Sequence, residues 1–179
     1  WESRLALEAF DPSAFPDPDA QMAEQGITLR SVAELASDPD RDRKLYALKL
    51  VVDQDIPYPD VVSAPAFEAF QKSVLEYPGF LPEGSYVAMD GDAYVGMVLH
   101  ESGSPLLLLV QLTGTARAYR RRGIAQALKV KSMAWGKAAG YSTISVANDL
   151  ANTGMLAIND RLGFVRQHAL VMLQRKAPF

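Results

Sequence analysis

A strongly apolar segment, Leu106 to Thr115, runs into a basic turn that ends at Gly123 and passes straight into a helical pattern. This junction limits the fold more than any other feature of the chain. The unbroken run Leu106–Val110 suits the middle of a sheet. It is far below the ~18 residues of a membrane helix, so no membrane partner is expected. From Arg122 to Ala139 the apolar residues Ile124, Ala127, Leu128, Ala134, Trp135 and Ala138 share one helical face, and Gly140 ends the pattern. A buried strand therefore delivers the chain to a helix N-terminus. The first-turn N–H groups there have no internal partner, and the helix dipole adds partial positive charge. Gly123 has no Cβ to keep a ligand from the backbone, and Arg120, Arg121 and Arg122 add full charges. Together they make an anion site, most naturally for phosphates.

The remaining pattern arranges elements around this junction. Trp1–Leu7 reads as a short strand, and Asp11–Asp19, with three prolines, as a linker. A short helix lies between Asp17-Pro18 and Gly26. Ile27–Val32 alternates as a strand. Leu45, Leu48 and Val52 share a helical face opened by Asp38-Pro39 and closed before Pro57. Ser63-Ala64-Pro65 opens a helix carrying Phe67, Phe70 and Val74. Ser85–Met89 and Ala93–His100 form a hairpin about Asp90-Gly91-Asp92. After the basic junction come a β-branched strand, Ser142–Ala147, and a short helix capped by Asn152 and closed by Gly163, with Met155, Ile158 and Leu162 inward. Phe164–Lys176 holds one or two last strands. Two helices followed by three strands do not fit a regular βαβ alternation, so the class is α+β. The 179 residues suffice for one domain.

Charge is divided unevenly. Residues 1–112 hold 7 Lys and Arg against 19 Asp and Glu, whereas residues 113–179 hold 11 against 2. A basic last third favours an anionic ligand. Nucleic acid is disfavoured, because Tyr119 is the only aromatic near the arginines and the rest of the chain is acidic. The chain has no cysteine and two distant histidines, His100 and His168, which leaves no expected metal site. Trp1 stands where a Met would begin a chain, which suggests a trimmed or excised sequence. The first residues lack a signal-like pattern, and a cytoplasmic location is expected.

Neither the Walker pattern nor the Gly-x-Gly-x-x-Gly fingerprint is present. What is present is Arg120-x-x-Gly123-x-Ala125, and further on Asn152-x-x-Met155-x-x-Ile158-Asn159-x-x-Leu162-Gly163-Phe164. In this order, with a strand before and a helix after the first motif, the pattern resembles the GNAT superfamily of acyl-CoA N-acyltransferases. The resemblance implies a layered α+β fold: a twisted, mixed, mostly antiparallel sheet of six to seven strands, split between two parallel strands, here Leu106–Thr115 and Ser142–Ala147. It implies acetyl-CoA as co-substrate and direct attack by a small-molecule amine in a ternary complex. Thr113, Gly114 and Thr115 would meet the pantetheine arm, with Gly114 at a bulge. Arg120, Arg121, Arg122, Gly123, Ile124, Ala125 and Gln126 would hold the pyrophosphate, and Asn152 and Asn159 would complete the CoA site. The acidic first part favours a cationic acceptor.

The sequence departs from the family in two places. The tyrosine that protonates the leaving thiolate in many members falls at Asn159, which cannot deliver a proton. Asn159 either meets the pantetheine sulfur or bonds neighbouring backbone. The strand before the loop carries no carboxylate, which leaves His100, Glu101, Asp149 and His168 as candidate bases. These gaps support an alternative, a catalytically inactive CoA-binding half of a tandem protein. Residues 1–26 fit it as a strand and linker extension ahead of a 27–179 domain, joined to a second such domain by fusion or dimerisation. The plainer reading is an N-terminal arm packed on the sheet.

Overall fold

The structure, a computed structural model, describes residues 1–54 and 65–167. Among the described residues seven strands form one mixed sheet: β1 Glu2–Ala6, β2 Ile27–Ser31, β3 Tyr86–Asp90, β4 Ala93–Ser104, β5 Leu107–Thr115, β6 Thr143–Ala147 and β7 Val165–Arg166. Their spatial order is β2-β3-β4-β5-β6-β1-β7, and β5–β6 is the parallel pair among antiparallel neighbours. Among the described residues five α-helices cover it: α1 Pro18–Ala23, α2 Arg41–Asp53, α3 Phe67–Phe70, α4 Ile124–Ala138 and α5 Thr153–Arg161. The α+β class, the mixed sheet and the parallel pair match the sequence reading. The opening residues expected for the α3 helix, Ser63 and Ala64, lie outside the described residues, as do the end of the last strand and His168.

The helices divide between two faces because their apolar stripes do. Leu45, Leu48 and Val52 of α2 and Phe70 of α3 pack with Val87, Met97 and Leu99 on one face. Ile124, Ala127 and Leu128 of α4 pack with Met22, Val95 and Val98 on the other. Further along that second face, Val130 and Met133 join Leu7, Leu108, Ile144, Val146, Leu162 and Phe164. Residues 1–26, expected as an extension, are built into the same unit. β1 pairs with β6 from Glu2↔Ala147 to Ala6↔Thr143 and with β7 on its other side. Leu7, Phe10 and Met22 are core residues.

One buried group breaks the apolar rule. Lys129 of α4 is 1% exposed, its Nζ has no hydrogen-bond partner among the described residues, and it lies 5.0 Å from the centre of the Phe164 ring. Burial pushes its pKa down to about 7. Between about pH 7 and 10.5 the unfolded chain holds a proton that the native state releases, so this group's contribution to stability rises with pH through that window. His100 of β4 is wholly buried as well. Burial, and then the Lys129 charge, push it down to about 3. It therefore costs stability as pH falls from 6.5 through about 3. Replacing Lys129 by Met should raise stability at pH 7 by about 1–4 kcal/mol, as apolar replacement of buried charge does elsewhere. It should also flatten the dependence between pH 7 and 10. Urea titrations across that range check both.

Candidate functional site

The parallel pairing of β5 with β6 runs only from Leu107↔Thr143 to Val110↔Val146. β5 then continues to Thr115 without its neighbour, and a fork opens. The opening coincides with a β-bulge: the β4–β5 register slips between Leu99 and His100, which leaves Gln111 as the extra residue. The bulge expected at Gly114 is thus three residues earlier. Gly114 is needed for another reason, because a Cβ there would lie 2.1 Å from Val52 Cγ1 of α2.

Beyond the bulge, backbone direction follows from the ladder. Ala116 N–H donates to the Val95 carbonyl at 2.9 Å, which makes Thr115 and Gly96 a non-hydrogen-bonded pair. By alternation Thr113 and Thr115 turn their N–H and C=O groups away from β4, into the fork. The hydroxyls of both are buried and unpartnered among the described residues. Unpaired buried polar groups of this kind mark a place where a polar ligand belongs.

The fork leads into a cavity of about 680 Å³ that reaches the start of α4. Its wall includes Thr113, Gly114, Thr115, Arg120, Arg121, Gly123, Ile124, Ala125, Gln126 and Asn152, all expected from sequence. Arg121 (φ 62°) and Gly123 (φ 80°) are both left-handed, which wraps the turn over the helix end. The N–H groups of Ile124, Ala125 and Gln126 are free of helix partners. The turn is braced from outside. Tyr119 donates to Asp90 at 2.8 Å, and Arg120 Nε donates to the Thr115 carbonyl at 3.2 Å. Arg122 corrects the expectation: it is not on the cavity wall. It donates to Gln25 Oε1 and to the Gln25 carbonyl, both at 3.1 Å, while Gln25 Nε2 donates back to the Arg122 carbonyl. Its charge fastens the turn to the end of α1 rather than to a ligand.

The opposite wall is α5. Asn152 caps it, accepting from Met155 N–H at 3.2 Å. Gly154, Met155, Ala157, Ile158 and Arg161 line the cavity, whereas Leu156, Asn159 and Leu162 are buried beneath. Asn159 is thereby corrected as a cavity contact. Its amide donates to Asn148 Oδ1 at 2.6 Å, tying α5 to the end of β6. The sequence reading placed Met155 and Ile158 in the core and missed Val52, Tyr119 and Arg161 as wall residues. Arg161 follows Gly154, Ala157 and Ile158 at helical spacing, a signal present in the sequence.

Among the candidate bases, His100 is corrected too. It is sealed on the α4 face, outside the cavity wall, with the ring kept neutral by its depressed pKa. Asp149 is exposed and accepts from Ala151 N–H at 2.7 Å, closing a turn. Glu101 is half-buried directly opposite Leu109, one residue before the fork opens, and accepts a hydrogen bond from Gln111 of the bulge.

Comparison with known proteins agrees with this architecture. The sequence profile of the Acetyltransferase (GNAT) family matches residues 38–164. The chain is 30% identical over 93 residues to N-alpha-acetyltransferase 30 of Schizosaccharomyces pombe, covering 50% of this chain and 62% of the yeast protein. A GCN5-related N-acetyltransferase from Sphaerobacter thermophilus superposes with a TM-score of 0.67 at 20% identity, over 94% of this chain and 48% of that one. The aminoglycoside acetyltransferase AAC(6′)-Iy, solved with a CoA-containing bisubstrate analogue, superposes at 0.61 with 15% identity, over 84% of this chain and 99% of that one. This chain thus spans about half to two thirds of the first two relatives.

Gly123→Glu puts bulk and negative charge where the phosphate-sized cradle must stay open, on a backbone that favours glycine. Calorimetry should register loss of CoA binding, with the cooperative unfolding transition retained.

Proposed function

This chain belongs to the GNAT acetyltransferase family, and from that premise we propose that it moves an acetyl group from acetyl-CoA to an amine by direct attack in a ternary complex. The observation that carries the reading is the fork. It leaves two strand residues, Thr113 and Thr115, with main-chain groups facing a cavity that ends on a cationic helix N-terminus. The pantetheine arm takes up the N–H groups of Thr113 and Thr115 and the Thr113 carbonyl, the Thr115 carbonyl being held by Arg120 Nε, and the pyrophosphate rests on the N–H groups that follow Gly123, beside Arg120 and Arg121. Most of the rate then comes from holding thioester and amine together, with donors at the fork meeting the negative charge that develops on the carbonyl oxygen.

The amine approaches from the α2 side of the sheet. Glu101 is on that face, two residues after Leu99 of the α2-side core. We assign it as the base that accepts the amine proton as the C–N bond forms and the C–S bond breaks. Gln111, the extra residue of the bulge, donates to that carboxylate. CoA leaves as a thiolate that needs no acid from α5, consistent with an asparagine at 159. In sequence, residues 38–92 hold 11 Asp and Glu against 5 Lys and Arg, and this acidic composition favours a cationic amine. An aminoglycoside or a peptide α-amine, the acceptor types in the names of the relatives, both meet that description.

The inactive reading draws on Asn159, which is spent on Asn148 where many members carry an acid. CoA release from acetyl-CoA with a panel of peptides, polyamines and aminoglycosides, beside acetyl-CoA affinity, separates the two. Turnover on any amine supports the enzyme, and tight binding without turnover supports the binding domain. In the enzyme, Glu101→Gln should lower kcat by about 10²–10⁴-fold and leave acetyl-CoA affinity within about twofold.

A further inference from the structure

The cavity carries one cation that the diphosphate cradle does not use. Arg161 stands in the last turn of α5, exposed, on the wall facing α4. Its Nη1 donates to Gln126 Oε1 at 2.8 Å, so the guanidinium is held over the first turn of α4 by a neutral partner. It forms no ion pair with a described residue. The neighbouring Asp160 is taken by Arg166 at 3.1 Å. The cavity beneath is a built site, since Thr115, more than nine-tenths buried, keeps an unpartnered hydroxyl on its opposite wall.

Resting on the acetyl-CoA reading, we propose that Arg161, aimed by Gln126, binds the 3′-phosphate of the CoA ribose and makes this site selective for free CoA thioesters. Arg120, Arg121 and the first-turn N–H groups form one anion cradle, and Arg161 reaches from α5 to its edge, where Gln126 Oε1 holds the guanidinium. CoA carries two separate anionic groups, a diphosphate and a ribose 3′-phosphate. A phosphopantetheine arm attached to a carrier protein carries a single phosphodiester and would leave Arg161 idle. The planar fork of a guanidinium suits a terminal phosphate, and its one neutral hydrogen bond leaves further donors for the ligand. Buried interior position does not constrain this residue, so its replacement leaves the core intact.

Calorimetric titration with CoA, 3′-dephospho-CoA and 4′-phosphopantetheine tests the assignment. The wild-type protein should bind CoA about ten- to a hundredfold more tightly than 3′-dephospho-CoA. Arg161→Ala should weaken CoA to the level of 3′-dephospho-CoA and leave the affinities for 3′-dephospho-CoA and 4′-phosphopantetheine unchanged, while Arg161→Lys should recover part of the loss. Equal wild-type affinity for CoA and 3′-dephospho-CoA overturns the proposal. An equal loss for both in Arg161→Ala also overturns it, by placing Arg161 on the diphosphate. Failure of the wild-type protein to bind any of the three ligands overturns the acetyl-CoA reading itself, and this inference with it.

Discussion

The site depends on one strand outrunning its neighbour. Had β6 stayed paired with β5 beyond Val110, the N–H and C=O groups of Thr113 and Thr115 would be spent within the sheet, and no ligand could use them. Two local devices hold the strands apart. The bulge at Gln111 turns β5 at the place where the pairing stops. Gly114 then lets the freed end of β5 settle against Val52 of α2, closer than any side chain would permit. An unpaired strand end is ordinarily a liability. Here helices seal both faces of the fork, and a pocket remains where an exposed edge would otherwise be.

The basic turn divides labour among residues that look equivalent in sequence. Arg120, Arg121 and Arg122 are consecutive, yet the two left-handed residues at 121 and 123 twist the backbone so that neighbours point in different directions. Arg121 and Arg120 reach the cavity, while Arg122 is clamped reciprocally to Gln25. The turn must keep its shape to present the N–H groups of α4. Side-chain bonds from Tyr119 and Arg122 to distant elements supply rigidity that a glycine-containing turn lacks by itself.

Periodicity and turn chemistry made the element order readable in the sequence, because it rests on local pattern, while the parallel pair and most of the cavity wall followed from the family resemblance. What sequence missed depends on which way a side chain faces once layers are packed. His100 looked like a strand-end residue near solvent, but α4 covers it. By sequence Asn159 groups with the stripe of Met155, Ile158 and Leu162, but the structure splits that stripe: Met155 and Ile158 reach the cavity wall, and Asn159 lies beneath it and donates to Asn148. Lys129 carries nothing in the sequence that separates it from the other lysines of its helix. The bulge could not be located, because an extra residue in a strand shows only in its pairing with a partner. Gly114 was rightly marked as special, for a reason that only α2 reveals.

The position of β1 bears on the order in which the sheet can be completed. The main-chain groups of Trp1 and Asn148 bond each other across 147 residues of sequence, and β1 fills the place between β6 and β7. Contacts this distant in sequence are slow to form, because the loop entropy is lost before the contacts return anything. On a ribosome the first strand emerges long before β6 exists. Leu7 and Phe10 then wait without their core, and β5 and α4 must assemble before the opening residues have anywhere to dock. β1 precedes β6 in the chain by about 140 residues and is nevertheless among the last strands to be secured.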